Sequence, residues 1–226
     1  MPVKIKICGV RSGEDAVAAL AAGADFFGLV FYEKSPRFVT REQAEEIIAY
    51  VREQGFESAR AIGVFVNEPP ATVMEYVRRL GFFAAQIHGD EPPEYFRDLA
   101  GCRVIRTIRI KEPQNLEALG RGEAWAWLCE AHHPEQYGGM GKRIDASLLA
   151  PYVSRHRIFL AGGLTPENIA GVLQTMQPYA VDVSSGVESA PGKKDHDKVR
   201  AVIAAVRQYD VSATSDAREA VFRKWR

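Results

Sequence analysis

The chain has 226 residues, 46% of them hydrophobic and 26% charged, enough for one large α/β domain with a sizeable core. Its 29 Lys and Arg balance its 29 Asp and Glu, so no general electrostatic attraction to nucleic acid or to an anionic membrane is expected. The opening MPVKIKICGV is a poor signal peptide, no apolar stretch is long enough to cross a bilayer, and three widely spaced cysteines do not make a disulfide framework; a reducing cytoplasm is the expected location.

The first apolar run, Val3–Cys8, is a predicted strand. Alternation puts Val3, Ile5 and Ile7 on one face and Lys4, Lys6 and Cys8 on the other. A helical pattern at Gly13–Ala22 leads to strand two, Phe26–Phe31, and to a loop, Glu33–Val39, that carries Arg37. Thr40 stands where an N-cap is needed before helix Arg41–Glu53. Strand Ala59–Val66 and helix Ala71–Leu80 follow. Strand four, Phe83–His88, sets Gln86 and His88 opposite Ala85 and Ile87, and helix Pro92–Leu99 comes next. Strand five is predicted at Cys102–Ile108. Strand six, Ala124–Cys129, ends at Glu130, before the longest loop, Ala131–Lys142. Strand seven, Arg157–Ala161, runs into Gly162-Gly163, and helix Pro166–Met176 follows with Thr165 as its expected N-cap. Strand eight, Ala180–Ser184, carries Asp182 and Ser184 opposite Val181 and Val183, and helix Asp195–Gln208 completes the pattern. Residues 211–226 form a C-terminal tail whose Ala217, Val221 and Trp225 share one helical face, consistent with a short docked helix.

Eight strands alternating with helices in this length favour a closed (β/α)8 barrel over an open sheet, as one catalytic domain at residues 1–210. The aliphatic strand faces then point outward to the helices. Lys4, Lys6, Cys8, Gln86, His88, Asp182 and Ser184 point to the axis. Buried charges require partners, so Lys6 and Asp182, on neighbouring strands one and eight, are predicted to form an internal ion pair that supports the barrel.

Barrel active sites lie at the C-terminal ends of the strands. There the sequence places Cys8, Arg37, Asn67, His88, Glu130, Gly162, Gly163 and the segment Ser184–Glu188. Two glycine segments, Gly162-Gly163 and Ser184-Ser185-Gly186, follow strands seven and eight, the recurring phosphate position of such barrels. Cys8 beside Lys6 suits a base or nucleophile, Glu130 a general acid, and Arg37 a carboxylate ligand. His88 and Asp182 are substrate-binding candidates. Cys129, Glu130, His132 and His133 cluster in sequence, but adjacent residues of a strand point apart and the spacing is not that of zinc, so no metal site is expected.

These segments resemble the phosphoribosylanthranilate isomerases. The similarity runs in order through Lys6-Ile7-Cys8-Gly9-Val10, Ser35-Pro36-Arg37-Phe38-Val39, Gly63-Val64-Phe65-Val66-Asn67 and Gln86-Ile87-His88-Gly89-Asp90. It continues through Gly138-Gly139-Met140-Gly141-Lys142, Leu160-Ala161-Gly162-Gly163-Leu164, Asp182–Glu188 and Gly192-Lys193-Lys194-Asp195. The resemblance covers about residues 3–208. It implies an Amadori rearrangement of N-(5′-phosphoribosyl)anthranilate to 1-(2-carboxyphenylamino)-1-deoxyribulose 5-phosphate in tryptophan biosynthesis, with no cofactor, by a monomer or homodimer. It implies Cys8 as general base, Arg37 as ligand of the anthranilate carboxylate, and the segments Gly162–Gly163 and Ser184–Gly186 as the phosphate site. Two residues depart from the family pattern. Glu130 stands where the family has an aspartate acid, and Met140 where it has a small hydroxyl residue. Another sugar-phosphate barrel enzyme would keep the phosphate loops without needing Cys8 together with a carboxylate after strand six. A non-catalytic phosphate-binding protein would bind the product without turnover.

Overall fold

The computed structural model describes residues 1–110, 116, 117, 119, 124–131, 148, 149 and 151–223, with 131 and 214–223 given by their backbone alone. Eight parallel strands close into a barrel in sequential order. They are β1 (Lys4–Cys8), β2 (Phe26–Val30), β3 (Arg60–Phe65), β4 (Ala84–Ile87), β5 (Val104–Ile110), β6 (Ala126–Ala131), β7 (Ile158–Leu160) and β8 (Ala180–Val183). Hydrogen bonding between β1 and β8 closes the ring, with Lys6 level with Asp182. Among the described residues no helix is long and apolar enough to cross a membrane.

Alternation predicts the two faces well. Val3, Ile5, Ile7, Leu29, Phe65, Ile87, Val181 and Val183 lie in one large outer core, packed against the helices. Helix α1 (Gly13–Ala22) is capped by the Ser12 side chain, and α2 (Arg41–Glu53) by a reciprocal capping box between Thr40 and Gln43. The apolar face of α2, with Ala44, Ile47, Ile48 and Val51, is buried. Helix α3 (Pro70–Leu80) starts at a proline, whose missing N–H costs a helix nothing in its first turn.

The inner face divides along the barrel axis. Phe26, Ile62, Ala84, Ile105, Ala126, Leu128, Phe159 and Ala180 form an apolar floor. Trp125 precedes β6 and meets Phe83 and Tyr179 edge-on beside this floor, so strand alternation does not govern its position. Above the floor lie Lys6, Gln86 and Asp182, all buried.

Several local expectations are corrected. Residues Pro93–Leu99 form a 3-10 helix rather than an α-helix. Helix α4 (Ile169–Thr175) begins after Asn168, not after Thr165. The Asn168 side chain accepts from the Thr165 N–H at 3.1 Å and donates to the Gly163 carbonyl at 2.8 Å. Residues 165–168 are thereby held as a turn that fastens the loop after β7. After β8 the chain makes a 3-10 turn (Ser185–Val187) and a small hairpin, β9 (Glu188–Ala190) with β10 (Lys193–Lys194). The last helix, α5, spans His196–Arg223 without a break and takes in most of the segment expected to be a separate tail. No Gly or Pro lies between Gln208 and Arg223 to end it. Most of the loop at 131–142, including Met140, His132 and His133, lies outside the described residues.

Candidate active site

The strand ends surround a cavity at the C-terminal mouth. Cys8, Arg37, His88, Glu130, Gly162, Gly163, Asp182, Ser184, Ser185 and Gly186 all line it. Asn67 does not. It adopts a left-handed backbone (φ 56°) and binds the loop after β4, its side chain accepting from the Asp90 N–H at 2.9 Å.

The cavity is built on an ionic layer. Lys6 has no exposed surface, and its ammonium donates to both oxygens of Asp182, at 3.0 and 3.1 Å, and to Oε1 of Gln86 at 2.9 Å. The ion pair expected from the alternation is therefore present. Burial favours the neutral amine, but Asp182 and then Cys8 outweigh it and hold the Lys6 pKa above its ordinary value.

Cys8 ends β1 on the cavity wall. Burial pushes its thiol pKa up. Lys6 and Lys194 pull it down and Asp182 pushes it further up, leaving it above the ordinary value. Gly28, on the neighbouring strand, makes room for this arrangement. A Cβ there would sit 2.9 Å from the sulfur of Cys8 and 3.1 Å from the ammonium nitrogen of Lys6. The other two cysteines lie elsewhere. Cys129 packs in the outer cluster with Ile108, Trp127 and Leu160, where burial raises its pKa to about 12. Cys129 thus points away from Glu130, as adjacent strand residues should.

Glu130, at the far end of β6, is buried. It lies three strands from Cys8 around the ring, by way of β8 and β7. Its Oε1 is 2.9 Å from Nε2 of His88 and 3.6 Å from Nε of Arg109. The Nδ1 of His88 is in turn 2.9 Å from the amide nitrogen of Gln86 and 3.1 Å from the Thr107 hydroxyl. A continuous polar chain therefore crosses the mouth from Asp182 through Lys6, Gln86 and His88 to Glu130. Arg109 also donates to the His88 carbonyl and to Asp90.

Arg37 lies in a loop but is not exposed to solvent like a surface arginine. Its side chain is 14% exposed, and its Nε and Nη2 donate to the two oxygens of Glu188 at 2.8 Å each. The ammonium of Lys194 donates to the same carboxylate at 2.9 Å and to the Ser184 carbonyl at 3.2 Å. Burial opposes ionisation of Glu188, but the hydrogen bonds and charges of Arg37 and Lys194 prevail and lower its pKa. Lys194 differs from Lys6. Burial lowers its pKa and prevails over the opposing pull of Glu188 and Cys8, with Arg37 repelling the ammonium in addition. Sequence inspection places Glu188 at the mouth but does not reveal that it orients Arg37, since the two residues are 151 apart in the chain.

The two glycine segments face each other across the loops after β7 and β8. Gly162 and Gly163 have positive φ, 95° and 64°. A Cβ on Gly186 would lie 1.9 Å from the Leu164 carbonyl oxygen, so no other residue fits there without moving the loop. Ser184 donates from its hydroxyl to the Cys8 carbonyl at 3.1 Å, tying the β8 loop to β1.

Comparison with known proteins agrees with this geometry. Residues 5–205 match the family model described as N-(5′-phosphoribosyl)anthranilate (PRA) isomerase. The N-(5′-phosphoribosyl)anthranilate isomerase of Geobacter sulfurreducens is 45% identical over 201 residues, covering 89% of this chain and 97% of its own. The crystal structure of phosphoribosyl anthranilate isomerase from Thermotoga maritima superposes with a TM-score of 0.83 at 39% identity, over 91% of this chain and 99% of that one. A phosphoribosyl anthranilate isomerase crystallised with reduced 1-(o-carboxyphenylamino)-1-deoxyribulose 5-phosphate gives 0.80 at 36% identity, with the same coverage. With most of its length matched and its barrel shared, this chain belongs to the phosphoribosylanthranilate isomerase family.

Proposed function

We propose that this protein isomerises N-(5′-phosphoribosyl)anthranilate by general acid–base catalysis, with Cys8 as the base and Glu130 as the acid. The activity, a step of tryptophan biosynthesis, is that of its family. The observation that carries the residue assignment is a single cavity whose wall holds a thiol on β1 and a carboxyl group on β6.

The substrate is anionic at both ends. Its phosphate suits the backbone of Gly162–Gly163 and the Ser184–Gly186 turn. Its anthranilate carboxylate suits Arg37, whose Nε edge is bound by Glu188, so the substrate would meet the remaining N–H groups. Glu130 protonates the furanose oxygen as the bond from C1 to that oxygen breaks, leaving a protonated Schiff base between C1 and the anthranilate nitrogen. The Cys8 thiolate then takes the proton from C2, and the resulting enolamine tautomerises to the ketone. Asp182 flanks this path as a substrate ligand, and His88, whose ring nitrogens face Gln86 and Glu130, borders the substrate rather than binding it. Glu130 is one methylene longer than the family aspartate, and its contacts with His88 and Arg109 fix where that added reach goes.

A fluorescence assay with freshly prepared substrate tests the assignment. Cys8→Ala and Glu130→Ala are each expected to lose activity by about a hundredfold or more with folding intact, and Glu130→Asp to retain it. Because the Cys8 pKa is raised, the thiolate fraction and the rate should still be climbing above neutral pH. Full activity in Cys8→Ala, or in Glu130→Ala, removes that residue from the mechanism.

A further inference from the structure

We propose that Gln86 is a positioning residue: it reads the charge of Lys6, fixes the tautomer of His88, and so determines which oxygen of Glu130 can release a proton. The juxtaposition behind this is the buried row Lys6–Gln86–His88–Glu130, with each contact at 2.9 Å.

The direction of each hydrogen bond follows from what each group can donate. An ammonium has donors only, so the atom of Gln86 that faces Lys6 must be its carbonyl oxygen. The amide nitrogen then faces Nδ1 of His88. An amide NH2 donates and has no lone pair available to accept, so Nδ1 must be the unprotonated ring nitrogen. The hydroxyl of Thr107, 3.1 Å from the same nitrogen, is able to donate as well. With Nδ1 accepting, the ring proton sits on Nε2 and is donated to Oε1 of Glu130. An imidazolium or an Nδ1–H tautomer would set one N–H against another inside a buried site, where an unmade hydrogen bond is costly. Oε1 is therefore an acceptor in the resting arrangement, and a proton carried by Glu130 resides on Oε2.

This assignment of Oε2 rests on Glu130 being the acid. The tautomer of His88 does not, and it can be measured without turnover. In protein carrying 15N-labelled histidine, with the His88 resonances identified by their loss in His88→Gln, the wild type at neutral pH should show Nδ1 as unprotonated and Nε2 as protonated. An Nδ1–H tautomer or an imidazolium in the wild type overturns the proposal, whatever the Glu130 variants do.

Gln86→Glu supplies the second arm. The replacement keeps the size of the side chain and an acceptor for Lys6, but presents an oxygen to Nδ1. It should bring a proton onto Nδ1 and lower kcat by about tenfold or more, with KM changed by less than about threefold. An unchanged His88 spectrum or an unchanged kcat overturns the positioning role. If that variant does not fold, the wild-type spectrum decides. Failure of the mechanism itself would be distinguishable, because Glu130→Ala would then stay active while the His88 resonances kept the predicted pattern.

Discussion

The inside of the barrel has two layers of opposite chemistry, made by the same eight strands. The floor, with Phe26, Ile62, Phe159 and their neighbours, is apolar and closely packed. The layer above it, one inward step along the strands, holds Lys6, Gln86 and Asp182, and opens to Cys8, His88 and Glu130. Register links the two, since Lys6 pairs in register with Phe26 of the floor on β2 and with Asp182 of the upper layer on β8. The floor gains stability from burial alone. The upper layer must recover the desolvation of its charges through contacts, and replacing such a pair by apolar groups is often neutral or stabilising. Stability alone thus gives no reason for the upper layer; a site for acid–base chemistry does.

The largest expected effects separate these roles. Phe159→Ala empties part of the floor and should lower the unfolding free energy by about 3–5 kcal/mol, while the folded fraction keeps its kcat/KM. Lys6→Met leaves the Asp182 carboxylate buried without its cation and should cost a similar amount, about 3–5 kcal/mol, together with activity. The double variant Lys6→Met with Asp182→Leu distinguishes the layers. It should recover most of that stability in urea denaturation and none of the activity. If it regains turnover, the ionic layer is only a support.

The next effect tests Arg37 through its clasp. Glu188→Gln removes the charge that two cations share, and the amide, with one oxygen, cannot accept from both Nε and Nη2 of Arg37 in the two-oxygen geometry of the carboxylate. KM should rise by about tenfold with a smaller change in kcat, because substrate binding is the quantity lost. An unaltered KM would mean that Arg37 does not hold the substrate carboxylate, or holds it without help from Glu188.

What is legible in the amino-acid sequence follows the same division. The strands, the outward aliphatic face and the Lys6–Asp182 pair were legible, because a period of two and the adjacency of strands one and eight require them. Cys8, Glu130 and the two glycine segments were legible as strand-end residues. The clasp of Arg37 by Glu188 was not, since it depends on a hairpin turning back over the mouth after β8. Nor was the need for Gly28, which depends on how close two neighbouring side chains come. Thr165 lies one turn before the observed start, since residues 166–168 form a turn that precedes α4 and the Asn168 side chain accepts from the Thr165 N–H.

The smallest effect concerns pH, and it falls on one layer only. The Glu188 pKa is depressed in the folded protein. Its contribution to stability is fully present above the unfolded glutamate value of about 4.3. It is lost as pH falls through the lower, folded value, because acid then protonates a carboxylate that only the native state holds between Arg37 and Lys194. Denaturant midpoints measured from neutral pH downward should therefore fall more steeply for wild type than for Glu188→Gln, which has no such proton to bind. Phe159→Leu, a change confined to the floor, should displace the wild-type curve downward while leaving its slope with pH intact. Parallel curves for wild type and Glu188→Gln would show that the native state does not hold this carboxylate more tightly ionised than the unfolded chain does. A changed slope in Phe159→Leu would show that the two layers are coupled, and that the floor helps set the charges above it.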